Sequence, residues 1–294
     1  MTLPTPLQIV RGAYRFLKHD LLLGMALVPY GRARQRALLK RADRSDSHIY
    51  TSFYRSPLQL DALVGPVLAH FERRGILSPS ILLFAGSIGA EAYTIASELK
   101  FRRPELSLRI RASDLHAHTV ARAREASYSL QEVRQSLDVP EAFLRRTFDV
   151  VGDRYVVKPE IRAMVSFEQA DLLSPQLADQ FSPADIVFAQ NVLFHLPPAL
   201  ARQAFAAVAR LLTPGAVLFI DGMELDMRVD LTIAHQLIPL DYKAREIYQY
   251  SRQHIPVRWW RYYYGNEPYM PFARNRLARY GTIFLSRPAS PASL

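Results

Sequence analysis

The stretch ILLFAGSIGAEAYTIASEL, residues 81–99, limits the fold more than any other part of the chain. Its first four residues, Ile81 to Phe84, are uniformly apolar, which reads as a short strand covered on both faces. Gly86 and Gly89 then allow a sharp turn, and from Ala90 to Lys100 the apolar residues recur at helical spacing. A buried strand that passes through a glycine turn into a helix is half of a βαβ unit, and such units build parallel sheets.

The rest of the chain repeats the unit. LRIRASD reads as a second strand, followed by a helix over Thr119–Ala126 and a helical stretch near Pro140–Phe148. In YVVKPEIRAMVSFEQADLL two extended pieces flank a turn. ADIVFAQ is a further strand, PPALARQAFAAVARLL an amphipathic helix opened by proline, and TPGAVLFIDG a turn leading into a strand. This alternation predicts an α/β protein with a mostly parallel sheet and helices on both faces. Near the C-terminus NRLARYGTIFLSR reads as two strands joined at Tyr280-Gly281, an antiparallel hairpin added to the parallel sheet. PLQLDALVGPVLAHFERR, from Pro57 to Arg74, predicts a helix ahead of the first strand. The expected organisation is a small helical N-terminal region over 1–75 and a cofactor-binding domain over 76–294. An aromatic, irregular insertion interrupts the latter at about 224–272.

The 294 residues are 49% hydrophobic and 22% charged, an ordinary globular composition. The absence of cysteine excludes disulfides and cysteine-ligated metals, and no metal site is expected. A net charge of +10 suits acidic partners: a carboxylate-rich protein, nucleic acid or an anionic membrane surface. A solvated arginine-rich surface accounts for it equally well. LLLGMALVP, from Leu21 to Pro29, follows Arg11, Arg15 and Lys18 and so raises the question of a signal peptide. The basic residues alternate with Val10, Tyr14, Leu17 and Leu21 at helical spacing, which suits an amphipathic helix. The run is also far shorter than the roughly 20 residues of a membrane span. The expectation is a soluble, cytoplasmic protein without a transmembrane segment.

Ligands of open α/β sheets bind at the carboxyl ends of the strands, which is where Ala85, Gly86 and Gly89 fall. Gly86-Ser87-Ile88-Gly89 is not a dinucleotide fingerprint, and no lysine follows to make a nucleotide triphosphate loop. Glu91, in the first helical turn, would repel a pyrophosphate and suits a ligand with an ammonium group. S-adenosylmethionine, with a sulfonium, an amino group and a ribose but no phosphate, is such a ligand. Glu91 as a partner of the helix dipole is the competing reading. Asp114, ending the second strand, suits a hydrogen bond to ribose hydroxyls or, alternatively, a cap on the next helix.

Six ordered motifs together resemble the chemotaxis-receptor (CheR-type) family of bacterial S-adenosylmethionine-dependent protein-glutamate methyltransferases, over about Tyr50 to Arg287. They are YTSFYRSPLQLDAL, AGSIGAEAYTIA, RASDLHAHTVARAREASY, VSFEQADLL, FAQNVLFHLPPALARQAF and LLTPGAVLFIDGME. The resemblance implies a class I methyltransferase (Rossmann-like) fold and the products of methyl transfer, S-adenosylhomocysteine among them. It implies that Thr51 and Arg55 reach the methionine end and the methyl group, and that Ala85 and Glu91 line the methionine and ribose side. It places Asp114 on the ribose, Asp171 and Leu172 beside adenine, and Gln190 and Asn191 below the sulfonium. The chain departs from the family pattern at several positions. Ala90 replaces a glutamate, Ala92 a proline, Asp171 an asparagine, Gln190 an arginine and His195 a tyrosine near the methyl group. The family's receptor-docking N-terminal domain has no clear counterpart in residues 1–50.

The expected activity is O-methylation with a carboxylate acceptor, a protein glutamate or a small acid. A carboxylate is ionised at neutral pH and needs no base, and Arg55 could hold it by a charge-assisted fork. Arg55 on the cofactor's own carboxylate fits as well. A hydroxyl acceptor would need a base, for which His195 is the candidate. Base methylation ranks lower, because Asn191-Val192-Leu193-Phe194 is not the motif of nitrogen methyltransferases. Both tryptophans and the run Tyr262-Tyr263-Tyr264, interleaved with Arg258, Arg261 and Arg274, suit an acceptor lid, a stacking platform for RNA or a peripheral cluster. An RNA-binding methyltransferase and a non-catalytic adenosylmethionine-binding module are therefore the alternatives.

Overall fold

The computed structural model describes residues 51–136, 139–254 and 269–288. The expectations for residues 1–50, for both tryptophans and for Tyr262–Tyr264 lie outside the described residues.

The described chain opens with a helical run, α1, made of Pro57–Ala62, a π-helical turn Leu63–Val67 and Leu68–Arg73. Pro57 at its start has no N–H to waste, as the sequence predicts. Pro66 lies inside the π turn; its missing N–H breaks the regular ladder there. Then β1 (Ile81–Phe84), α2 (Ala90–Arg102), β2 (Ile110–Asp114) and α3 (Ala117–Glu125) alternate. An excursion follows through β3 (Ser127–Ser129), α4 (Leu130–Val133), α5 (Glu141–Thr147), β4 (Phe148–Val151), β5 (Arg154–Val157) and α6 (Pro159–Arg162). Alternation resumes with β6 (Val165–Gln169), α7 (Leu177–Gln180), β7 (Ala184–Gln190), α8 (Pro198–Arg210) and β8 (Leu212–Asp221). The last elements are α9 (Leu225–Ala234), β9 (Ile238–Pro239), α10 (Ala244–His254), α11 (Arg276–Tyr280) and β10 (Ile283–Leu285).

Seven strands form one sheet in the order β6-β2-β1-β7-β8-β10-β9. The first five run parallel, with Ile81 opposite Ile110 and Ile186, while β10 is antiparallel to both β8 and β9. This mostly parallel sheet with an antiparallel pair at one end is the class I methyltransferase (Rossmann-like) arrangement that the resemblance implied. All four residues of β1 are buried because both faces are covered. Ile81 and Leu83 join one core with Phe53, Leu63, Phe71 and Tyr93, whereas Leu82 and Phe84 join the other with Val187, Phe205 and Leu218. Residues 51–73 thus share a core with the sheet.

Three details correct the local reading. Residues 276–280 are not a strand: α11 occupies them, and the antiparallel pair is β9 with β10. The described part of 224–272 is largely helical, through α9 and α10. Its α10 buries Ala244, Ile247 and Tyr248 at helical spacing, a stripe masked in sequence by flanking aromatic and charged residues. The extended pieces YVV and VSFEQ belong to different sheets. β5 pairs with β3 and β4 in a small antiparallel sheet, and α6 intervenes before β6. Among the described residues no helix is long and apolar enough to cross a membrane.

Candidate functional site

The carboxyl ends of β1, β2, β6, β7 and β8 all open onto one edge of the sheet. From β1 the chain enters the loop Ala85–Gly89, where Ala85, Ser87 and Gly89 take left-handed backbone angles of φ 57°, 50° and 93°. A Cβ on Gly89 would approach Phe167 to 3.0 Å, Tyr93 to 3.1 Å and Ala123 to 3.2 Å, so conformation and packing both demand glycine. The Gly86 N–H donates to the Ser113 carbonyl (2.8 Å) and the Ser87 N–H to Oδ2 of Asp114 (2.8 Å).

Asp114 Oδ1 accepts from the His116 N–H (3.1 Å) and from the Thr119 hydroxyl (2.7 Å) at the start of α3. The carboxylate therefore ties the glycine loop to α3, which meets the capping expectation in a looser form. Oδ1 is thereby saturated, while Oδ2, with one bond, still has a lone pair to offer. The Ser87 hydroxyl is buried without a partner among the described residues.

Beside the loop lies a small cleft, open to solvent, lined by residues 52–56, α1, α2 and the end of β7. Its charged side chains are Arg55 and Glu91. Glu91 accepts a hydrogen bond from Nε2 of Gln190 at 3.0 Å. Loss of hydration pushes the Glu91 carboxyl up to about 7, against the opposing pull of the Arg55 guanidinium and the Gln190 amide. Asn191 is in the left-handed region at φ 54°, which asparagine tolerates, and its N–H donates to the Asp221 carbonyl (3.0 Å).

Arg55, Glu91, Gln190 and Asn191 are thus brought to one cleft. Ala85, Gly86, Gly89 and Asp114 gather at the neighbouring loop. Asp171 follows β6; it is exposed, and its Oδ1 accepts the Leu173 N–H (2.8 Å). Leu172 is buried in the second core cluster. Thr51 and His195 are partly buried and do not line the cleft, although Ser52 does. His195 ends a 3₁₀ turn, Leu193–His195, with its ring 3.9 Å from that of Phe194. Sequence reasoning missed Gln59, Ser56, Thr94 and Phe188 on the cleft wall. For Gln59 a signal existed: a polar residue inside the apolar stripe Leu60, Leu63, Val64.

A family model described as "CheR methyltransferase, SAM binding domain" matches residues 50–237, well over half of the chain. The chain belongs to this CheR family. Among relatives of this CheR-family chain, a "Chemotaxis protein methyltransferase" of Listeria monocytogenes is 30% identical over 176 residues, 59% of this chain and 64% of that protein. A "Probable biofilm formation methyltransferase WspC" of Pseudomonas putida is 30% identical over 179 residues, 59% of this chain and 41% of that protein. "Chemotaxis protein methyltransferase 1" of Pseudomonas aeruginosa is 30% identical over 147 residues, 48% of this chain and 52% of that protein. The match spans less than two thirds of each of these relatives, and 18% of a Rhodobacter capsulatus protein. The residues present fit the cofactor of the family's domain. Glu91 supplies an anion, the glycine loop a close backbone, Asp114 spare acceptor capacity and Ser87 an unsatisfied hydroxyl.

Proposed function

We propose that the chain transfers a methyl group from S-adenosylmethionine to a carboxylate oxygen, on a protein glutamate or a small acid. The observation that carries this reading is the cleft's charge: among the described residues its lining holds one guanidinium, Arg55, with Glu91 and otherwise neutral groups. A cation in such a place favours an anionic acceptor. The name of the chemotaxis relative agrees with a protein acceptor.

The cofactor, when bound, supplies a methyl group on a positively charged sulfur. On this reading Glu91 would meet its ammonium and Asp114 its ribose, Asp171 and Leu172 would flank the adenine, the loop Ala85–Gly89 would lie against its middle, and Thr51 would sit toward its methionine end. Gln190 holds the Glu91 carboxylate in place through the 3.0 Å hydrogen bond. Arg55 would orient the acceptor carboxylate toward the methyl group; the ionised oxygen would take the methyl, leaving S-adenosylhomocysteine, and no base would be needed. Alignment and exclusion of water are then the protein's main contributions.

Arg55→Lys separates the roles of the guanidinium. It is expected to lower kcat about tenfold or more at saturating cofactor, since an ammonium cannot replace the fork. Loss of cofactor affinity alone would assign Arg55 to the cofactor carboxylate. His195 stands outside the cleft lining, so His195→Tyr is expected to keep activity without altering the pH profile. A pH limb lost in His195→Gln together with an inactive His195→Tyr would move the reaction to a hydroxyl acceptor.

A further inference from the structure

Gln59 is 3% exposed on α1, in a helix that also buries Leu60 and Ala62. Its Nε2 donates to Oγ1 of Thr282, just ahead of β10, at 2.7 Å. That bond satisfies one end of the amide only. Oε1 is buried and has no hydrogen-bond partner among the described residues. A buried acceptor left unpaired is costly, and its retention points to a donor that arrives with a ligand. Gln59 lines the cleft together with Ser52, Arg55 and Ser56 of its own segment, and with Glu91 and Gln190.

The chemistry of the orphan atom narrows what it meets. The adenosine-side residues Asp114, Asp171 and Leu172 do not line this cleft, so its wall faces the methyl end of the site. The cofactor's donor at that end is an ammonium, for which Glu91 is the charged match. A bare carboxylate carries no donor at all. An amide N–H close to the carboxylate does.

Resting on the carboxyl-methylation reading above, we propose that Gln59 selects the acceptor: Oε1 takes a hydrogen bond from an amide N–H near the carboxylate held by Arg55. The acceptor class is then a carboxylate carried on a peptide-like chain, and simple dicarboxylic acids are discriminated against. An amide turned the other way, with Oε1 accepting from the Thr282 hydroxyl, would offer Nε2 to the cleft and favour the bare acid instead.

The test uses the full chain saturated with S-adenosylhomocysteine and two probes with the same carboxylate: glutamate capped as N-acetyl methylamide, and glutarate. Calorimetry is expected to give the wild type about tenfold or greater preference for capped glutamate, about 1.4 kcal/mol. Gln59→Met should reduce the preference to about twofold or less, with homocysteine-product affinity unchanged. Should that variant fail to fold, Thr282→Val frees the amide to rotate and is expected to erode the same preference. The proposal is overturned if the wild type binds neither probe or does not prefer capped glutamate. Persistence of the preference in the variants overturns it as well, as does about tenfold weaker S-adenosylhomocysteine binding in Gln59→Met, which would place the residue on the cofactor. Methyl transfer is read separately, as base-labile methyl ester formed from S-adenosylmethionine. Capped glutamate that binds as expected but is not esterified sinks the methylation reading and leaves the recognition by Gln59 standing.

Discussion

Glu91 sets the charge balance of the cleft, and its position makes that balance depend on pH. Its carboxyl lies at about 7 in the folded chain because hydration is lost, against 4.5 for an unperturbed group. Between these values the folded state holds the proton more tightly than the unfolded state. The associated stability is present below about pH 4.5 and is lost as pH rises toward 7, after which the curve is flat. The shift corresponds to at most about 3 kcal/mol, reduced by water at the open side of the cleft. Glu91→Gln should therefore gain on the wild type in urea titrations as pH goes from about 5 to 7. Binding of S-adenosylhomocysteine to the ionised carboxylate should run the opposite way, tightening up to about pH 7 and then levelling, and losing this dependence in Glu91→Gln. An identical profile in the variant would free Glu91 of the ammonium. Asp114→Ala should weaken S-adenosylhomocysteine binding by about 1.5–3 kcal/mol. It should also lower the melting temperature of the free protein, because the Ser87 N–H and the start of α3 lose their acceptor. Calorimetry showing unchanged affinity in a folded variant would take Asp114 out of the ribose site. At this scale the positions of Glu91 and Arg55 in one cleft and of Asp114 beside the glycine loop agree with the sequence reading, although their roles stand as proposals. The bond from Gln190 to Glu91 and the orphan oxygen of Gln59 were not legible there, because they join residues 99 and 223 positions apart.

The glycine loop shows how an element is specified by more than its pattern. Gly89 and Gly152 both take left-handed angles, φ 93° and 62°, but nothing lies within 4 Å of a Cβ built on Gly152, in the turn between β4 and β5. Gly152→Ala should cost about 1–2 kcal/mol, the conformational penalty alone. Gly89→Ala adds a clash with three buried neighbours and should cost about 2–5 kcal/mol, with loss of S-adenosylhomocysteine binding. Thermal melting of the pair checks this; equal losses would mean that packing at Gly89 yields freely. The difference was not readable in the sequence, where both are glycines in turns. Periodicity did locate β1, α2, β7 and α8, because burial on both faces or on one stripe leaves a local trace. It read β5 as extended but missed β3, β4 and the sheet the three form, because strands of three or four residues carry too little pattern.

Across the whole molecule, ion pairs around one buried carboxylate tie the excursion to α2 and α1. Glu98 of α2 is 1% exposed, pairs with Arg146 of α5 and with Arg102 (3.3 Å), and Arg102 in turn reaches Asp61 of α1 (2.8 Å). Burial pulls the Arg146 guanidinium below its usual range, so its charge is held at a cost. Glu98→Leu strands that cation and should destabilise by about 3–5 kcal/mol in urea unfolding. Adding Arg146→Met should recover a large part of the loss, because the unpaired charge goes with it. A double variant no better than the single one would show that the pair contributes through packing rather than charge.

The sequence by itself determined the α/β class, the parallel core strands, the glycine loop and the family with its S-adenosylmethionine cofactor. These are encoded locally, in runs of apolar residues, spacing and residue type. Tertiary structure alone decided that α1 forms a wall of the cleft and that Glu91 is held near neutrality by its surroundings. It also left His195 outside the cleft lining and one amide oxygen of Gln59 unsatisfied. Each of these depends on which atoms from distant segments meet, and on how much water is excluded where they do.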